Sequence, residues 1–273
     1  MATHAYGTGP IKGYEVGPIP MEAAFTSDFP LAAGVGVQEI VDKQEVERRV
    51  MDVRPGMYAK YMPSRIDAGA AAGSAGTHFT GGRYLFETWD DVLDYERFTS
   101  EELEFEPGVK FWSRSFFLDV ERFVWRVAGA HNFLPLEEHH VSRFERFRYA
   151  YEGDAGVVVQ RAWASLRGEA EARGLGAVWL LHQPEQRLIG IHSVASRDAS
   201  AALEAQVSLG SLLPGSLAVG RYFDRTSRIL SLWLPKSRLA GGVPSAYPMS
   251  PPLPLPTVPV QAVCGAPNLP ERQ

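Results

Sequence analysis

One order of elements occurs twice along this chain, and it constrains the fold more than any other feature of the sequence. In the first pass, residues 37–41 (Val-Gln-Glu-Ile-Val) predict a short strand. Residues 44–53 predict a helix that must stop before Pro55, because a proline disfavours helical backbone at the residue before it. Residues 57–62 read as a second strand, 67–77 as a loop of small residues and 83–88 as a third strand. A helix over 90–104 opens on Asp90 and Asp91, where negative charge suits the helix dipole. After the Pro107-Gly108 turn, residues 109–128 are aromatic and β-branched and predict strand, interrupted near Asp119–Glu121. The second pass begins with the alternating strand 144–151. Residues 156–173 place Val158, Ala162, Leu166 and Ala170 at helical spacing and end at Gly174, a favoured cap. Strands over 177–182 and 187–195 flank a turn at Pro184-Glu185-Gln186, and a helix is predicted over 197–212. Pro214-Gly215 then turns the chain into 217–234, strand-rich and broken near Asp224-Arg225.

Both passes read β-α-β-β-α-β, the split βαβ or ferredoxin-like order. They agree in detail: each has a Pro-Gly turn before its last strand, and each opens its third strand on an arginine, Arg83 or Arg187. The expected fold class is therefore α+β, with two tandem ferredoxin-like units at 37–136 and 137–237. Residues 1–36 hold Gly7, Gly9, Pro10, Gly13, Gly17, Pro18, Pro20 and Pro30, which argue against a long helix or a central strand. They predict an extended N-terminal arm with apolar residues to pack. Residues 238–273 form a proline-rich C-terminal arm; its Pro251-Pro252-Leu253-Pro254-Leu255-Pro256 run favours polyproline II. A disordered tail, a strap across a partner subunit of a homo-oligomer and a docking motif are the readings open for it.

The net charge is −5, without the basic surplus of an electrostatic nucleic-acid binder, so no nucleic-acid partner is expected. Cys264 is the single cysteine, which leaves no internal disulfide and no thiolate zinc site. No run approaches the ~18 apolar residues of a spanning helix, and the first residues lack a basic, then apolar, leader pattern. The expectation is a cytoplasmic protein with no membrane partner.

The stretch Arg83–Thr88 followed by Trp89-Asp90-Asp91-Val92-Leu93-Asp94-Tyr95-Glu96-Arg97-Phe98 resembles the third strand and second helix of the dimeric α/β-barrel superfamily. Across both blocks, roughly residues 37–234, the element order resembles it too. The resemblance implies two ferredoxin-like units packed sheet to sheet as an intramolecular pseudo-dimer barrel, with a pocket between the sheet and helices of one unit. It also implies an enzyme class: cofactor-independent monooxygenases and cyclases, small isomerases and lyases, or haem enzymes. Fold alone does not choose among these.

No phosphate loop, dinucleotide fingerprint or nucleophile elbow is present, so the chemistry rests on other residues. Histidine can serve as base or ligand near neutral pH. His78 closes the small-residue loop. His131 follows a long aromatic strand. His182 and His192 fall on adjacent predicted strands that could bring them close. His139 and His140 sit beside Glu137 and Glu138, but neighbours on a strand face opposite ways and would not share a metal ion, so no metal is expected. Arg114, between Trp112 and Phe116, is the cation expected to point inward and to need an anion, from Glu87, Glu104 or an acidic ligand group. Tyr58, Tyr61, Tyr84, Phe86, Trp112, Phe116 and Trp179 are candidates to line a pocket for a flat aromatic substrate, though core packing is the alternative. The expected function is general-base catalysis by a histidine on an aromatic small molecule, with Arg114 and a tyrosine stabilising the anion and no cofactor. The alternatives are a haem enzyme with His131, His182 or His192 as ligand, and a non-enzymatic ligand-binding protein.

Overall fold

The computed structural model of the chain describes residues 16–35, 54–65, 79–134, 139–196 and 208–233. They form an α+β fold of antiparallel strands and few helices. In order these are β1 (Gly17–Pro18), β2 (Ala23–Pro30), β3 (Met57–Arg65), β4 (Phe79–Phe86), α1 (Trp89–Arg97), β5 (Glu104–Glu106), β6 (Val109–Lys110) and β7 (Glu121–Asn132). There follow β8 (His139–Arg148), α2 (Ala155–Ala172), β9 (Ala177–Gln183), β10 (Leu188–Ser196) and β11 (Gly220–Trp233). Neither described helix is long and apolar enough to cross a membrane.

The described residues divide into two compact units. Unit 1 holds Met21–Trp125 and returns at Arg228. In it β4 lies between β2 and β3, and the last residues of β11 pair antiparallel with β3. The start of β7 lies beside β2, where the Trp125 indole N–H donates to Thr26 Oγ1 at 2.8 Å. Helix α1 starts in a capping box: the Asp91 N–H donates to Thr88 Oγ1, and the Thr88 N–H donates to the Asp91 carboxylate, each at 3.2 Å. Its buried face, Val92 and Tyr95, meets the sheet, with the Tyr95 ring 5.0 Å from Phe25 and 5.2 Å from Phe86. The helix ends earlier than the predicted 104, in a π turn over Phe98–Glu102 where the buried Thr99 hydroxyl donates back to the Tyr95 and Glu96 carbonyls.

Three expectations are corrected in unit 1. Residues 23–30, read as part of an arm, form the buried strand β2. The prolines of that region sit before the strand or at its last residue, so they punctuate the ladder rather than break it. The long strand predicted over 109–128 is interrupted near Asp119, as expected, but the interruption is wider: β6 is two residues, Phe111–Ser113 is a 3-10 turn, and β7 begins only at Glu121, after Asp119 at φ 40°. The aromatic run that suggested strand instead packs on itself. Finally, β4 begins at Phe79, so Arg83 stands mid-strand rather than opening it.

That strand contains Gly81, and the approach of β2 requires it. A Cβ at Gly81 would lie 2.0 Å from the Ser27 carbonyl oxygen, which is main chain and has no rotamer to escape into. Gly81→Ala is expected to destabilise at the upper end of the ~1–3 kcal/mol range for overpacking or beyond it. Denaturant titration, read as a lowered midpoint at unchanged slope, checks this.

Unit 2 holds Val16–Pro20 and Arg126–Ser227. Here β10 lies between β8 and β9, β9 pairs with β7, and β1 pairs with the end of β7. The first residues of β11 lie beside β8, where Arg143 makes a two-pronged contact with Asp224 at 2.8 and 2.7 Å. β11 runs unbroken through Asp224-Arg225; Arg143 and Arg221 satisfy the carboxylate that suggested a break. Helix α2 lies as predicted: Asp154 caps it by accepting from the Gly156 and Val157 N–H groups, and Gly174 turns the chain at φ 68°. Val159, Ala162, Leu166 and Ala170 pack on Val178, Leu180, Ile189 and Ile191 of the sheet. The predicted strand 37–41, the helix 44–53, the loop 67–77, most of the helix 197–212 and the C-terminal arm lie outside the described residues. Within the described end of 197–212, Leu209–Leu212 is a 3-10 turn.

Candidate functional site

In unit 2 a cavity of about 440 Å³ opens where the start of α2 meets the ends of the strands. Its walls include Tyr149, Tyr151, Asp154, Gly156 and His182, with Arg126 and Arg187 at its edge. Register brings these together. Arg126 of β7 is the Cα partner of His182 on β9, so the two side chains share one face of the ladder. The Tyr149 N–H donates to the Arg187 carbonyl at 3.0 Å across the turn into β10.

His182 is buried, at 6% exposure, and its Nε2 lies 3.0 Å from the Tyr149 hydroxyl, sharing one hydrogen with it. The ring's other edge is turned toward Gly156: a Cβ there would come to 3.9 Å from both Cε1 and Nδ1. Burial holds the His182 imidazole below the usual histidine range, with Glu185 and Asp154 opposing and Arg126 adding to the shift. Burial also pushes the Tyr149 phenol up. Near neutral pH the pair is therefore a neutral imidazole against a protonated phenol. Asp154 spends its carboxylate on the helix end, at 3.0 Å from the Gly156 N–H, and so leaves the pocket's polar chemistry to the histidine, the tyrosine and the arginines.

His192 is not part of this cluster. It is the Cα partner of Trp179, whereas His182 is the partner of Ile189, three residues away along β10. An odd offset on a strand puts the two rings on opposite faces, which corrects the expectation that adjacent strands would join them. His192 is fully buried, edge-on to Trp179 at 4.5 Å and to Phe144 at 6.2 Å. His131 partners Val178, four residues along β9 from His182, roughly 13 Å at the strand rise. It lies half-buried against Phe133, and burial, with Arg167, lowers its pKa. His78 lies outside the described residues, and so do the side chains of His139 and His140.

Arg114 is inward-facing, as expected, at 5% exposure. Its surroundings are aromatic: the guanidinium stands over the rings of Phe111, Phe116 and Phe117 at 4.1, 4.9 and 4.3 Å, and its Nε–H donates to the Phe111 carbonyl at 2.9 Å. Tyr84 and Phe86 pack with Phe25 and Tyr95 in the core of unit 1, and Trp112 packs on Phe25, Phe29 and Phe111. Tyr61 pairs in register with Arg83 and Lys60 with Tyr84, so Tyr61 and Tyr84 face opposite sides of the sheet. Tyr58 and Tyr61 are buried, and Trp179 is fully buried against His192. None of these seven aromatic residues lines the His182 cavity; Tyr149 and Tyr151 do. The alternating strand 144–151 announced a half-buried strand, but nothing in it marked its last tyrosines as cavity residues.

No protein-family model matches the sequence, and no curated protein matches it. Among solved structures, an anthrone oxidase-like protein superimposes with a TM-score of 0.52 at 12% identity, covering 85% of this chain and 99% of that one. A candidate monooxygenase from Fusobacterium nucleatum matches at 0.48 with 10% identity, over 82% and 96% of the two chains. Another, from Lactobacillus acidophilus, matches at 0.47 with 8% identity, over 78% and 96%. The likeness to the first extends to the whole of that chain, and the fold is the dimeric α/β-barrel fold that the sequence resemblance implied.

Proposed function

We propose that the chain is a small-molecule enzyme whose reaction is proton abstraction from an activated carbon of an aromatic ketone or phenol, at the His182 cavity of unit 2. The observation that carries this reading is the His182 ring: one nitrogen is tied to Tyr149 at 3.0 Å, while the opposite edge is turned to the cavity wall at Gly156. With Nε2–H held by the phenol oxygen, Nδ1 is left with a lone pair toward substrate, the arrangement a general base needs. The low pKa keeps that lone pair unprotonated at neutral pH. Arg126, beside His182 on the same face, replaces Arg114 in the anion-stabilising role, because charge developing on a substrate oxygen is best met by a fixed cation. The cavity volume suits a two- or three-ring molecule.

The name of the fold neighbour suggests the first substrate to try. Anthrone carries an acidic methylene opposite its carbonyl. Loss of that proton gives an anion delocalised onto oxygen. The carbanion carbon adds dioxygen, and loss of water from the resulting peroxide leaves anthraquinone, with one oxygen atom in the product and one in water. Incubation with anthrone in air, followed by quinone absorbance and oxygen uptake, is expected to give protein-dependent product. Absence of turnover on anthrone and on simple phenolic ketones would end the oxygenase form.

Two of the three histidines expected as haem ligands are poorly placed for that role, while His131, half-buried against Phe133, is the one left to it. Nε2 of His182 is held by Tyr149, and His192 is closed in by Trp179 and Phe144 without exposed surface. No step is derived through haem. The tandem duplication is part of this reading: the β7-β2-β4-β3 and β11-β8-β10-β9 orders are alike, which supports it.

A further inference from the structure

We infer that the His182 cavity selects a substrate carrying a carboxylate or other anionic oxygen substituent, and that Arg187 is the residue that reads it. This rests on the cavity being the substrate site.

The starting point is a conformation. Arg187 closes the turn between β9 and β10 at φ 56°, in the left-handed region that glycine or asparagine normally fills and that a long side chain enters at a cost. The turn is fixed from both sides: the Arg187 N–H donates to the Pro184 carbonyl at 3.1 Å, and the Arg187 carbonyl accepts from the Tyr149 N–H at 3.0 Å. A glycine would satisfy both bonds without strain. Nothing in the turn asks for an arginine, so the reason for one lies in its side chain. That side chain lines the cavity and has no ion pair or side-chain hydrogen bond with any described residue. It stands near enough to Tyr149 to act on the phenol's acidity. A guanidinium held at a pocket rim without a carboxylate of its own suits two-pronged recognition of a ligand carboxylate.

Of the acidic groups near Arg187, Asp154 is turned onto the start of α2, and Glu152 and Glu185 are exposed, as Arg187 is, with no ion pair to it among the described residues. Arg126 stands on the opposite side of His182 from the turn, beside its partner strand. A planar anion placed between them would have its reacting carbon over His182, its ring against Tyr149 and Tyr151, and its acidic group at Arg187.

The test compares 2-naphthoate with its neutral isostere 2-naphthamide by titration calorimetry on the full chain, for the wild type, Arg187→Gly and Arg187→Lys. The wild type is expected to bind the acid about tenfold tighter than the amide. Arg187→Gly is expected to lose that preference while melting no lower than the wild type, since it relieves the left-handed strain. Arg187→Lys should keep part of the preference. A glycine variant that still prefers the acid overturns the inference, as does a wild type that binds acid and amide equally; in both cases the cavity remains a substrate site. A wild type that binds neither overturns the inference together with the cavity reading. A glycine variant that melts well below the wild type and binds both probes as before assigns Arg187 a structural role and overturns it too.

Discussion

Replacing His182 by glutamine is expected to lower kcat/KM by about 10²–10⁴-fold, the range that a positioned general base contributes. Glutamine keeps a polar group near Tyr149, so the fold should survive and the loss should fall on kcat. The wild-type rate should rise with pH along an acidic limb and level off, with an inflection below the ordinary histidine value, because burial depresses the His182 pKa. Tyr149→Phe removes the acceptor that steadies the imidazolium, and should move that limb to lower pH as well as slow the reaction. The same depression has a consequence for stability. The unfolded state takes up a proton on this ring more readily than the folded state does, so the stability present above the unfolded pKa is lost progressively as pH falls from there through the depressed folded pKa. Equal kcat/KM for wild type and His182→Gln across the pH range would remove His182 from the mechanism.

Much of the fold was legible from periodicity, and the misses have physical causes. Helix α2 and strands β9 and β10 fell where they were expected, because Val158, Ala162, Leu166 and Ala170 repeat with helical spacing and the strands are apolar runs, although it is Val159 rather than Val158 that is fully buried. β2 was missed because its neighbourhood is full of glycine and proline, and composition over thirty residues hides an eight-residue strand that carries its proline only at the end. The aromatic run after Lys110 suggested strand, since aromatic residues favour sheets; here it wraps Arg114 instead. The site was partly legible. His182 was named, and so was its place at the end of a strand. Its partnership with Arg126 depends on a register between strands far apart in sequence, with a bulge between Val127 and Gly129, and no local pattern carries that information. The two arginines that seemed equivalent in the two passes illustrate the limit. Arg83 lies buried in the middle of β4, whereas Arg187 is exposed in a turn.

Arg83 carries the second large expected effect, on stability. Its guanidinium meets Asp28 Oδ1 at 2.7 Å and donates to the Ser27 carbonyl at 2.8 Å, with both charged side chains at least 96% removed from solvent. Taking two charges out of water costs several kcal/mol each, and the pair recovers this only while both members are present. Arg83→Met should therefore destabilise unit 1 by about 3–5 kcal/mol, because it leaves the Asp28 carboxylate in the interior without its cation. Asp28→Leu should cost a similar amount for the mirrored reason. The double variant should lose less than either single one, since it buries no charge, although it forfeits the bonds to the Ser27 and Gly82 carbonyls. Denaturant unfolding of the four proteins measures all three differences. A double variant that loses the sum of the two single losses would mean that the charges do not sense each other, and the stability of β2 against β4 would then rest on close main-chain packing of the kind seen at Gly81.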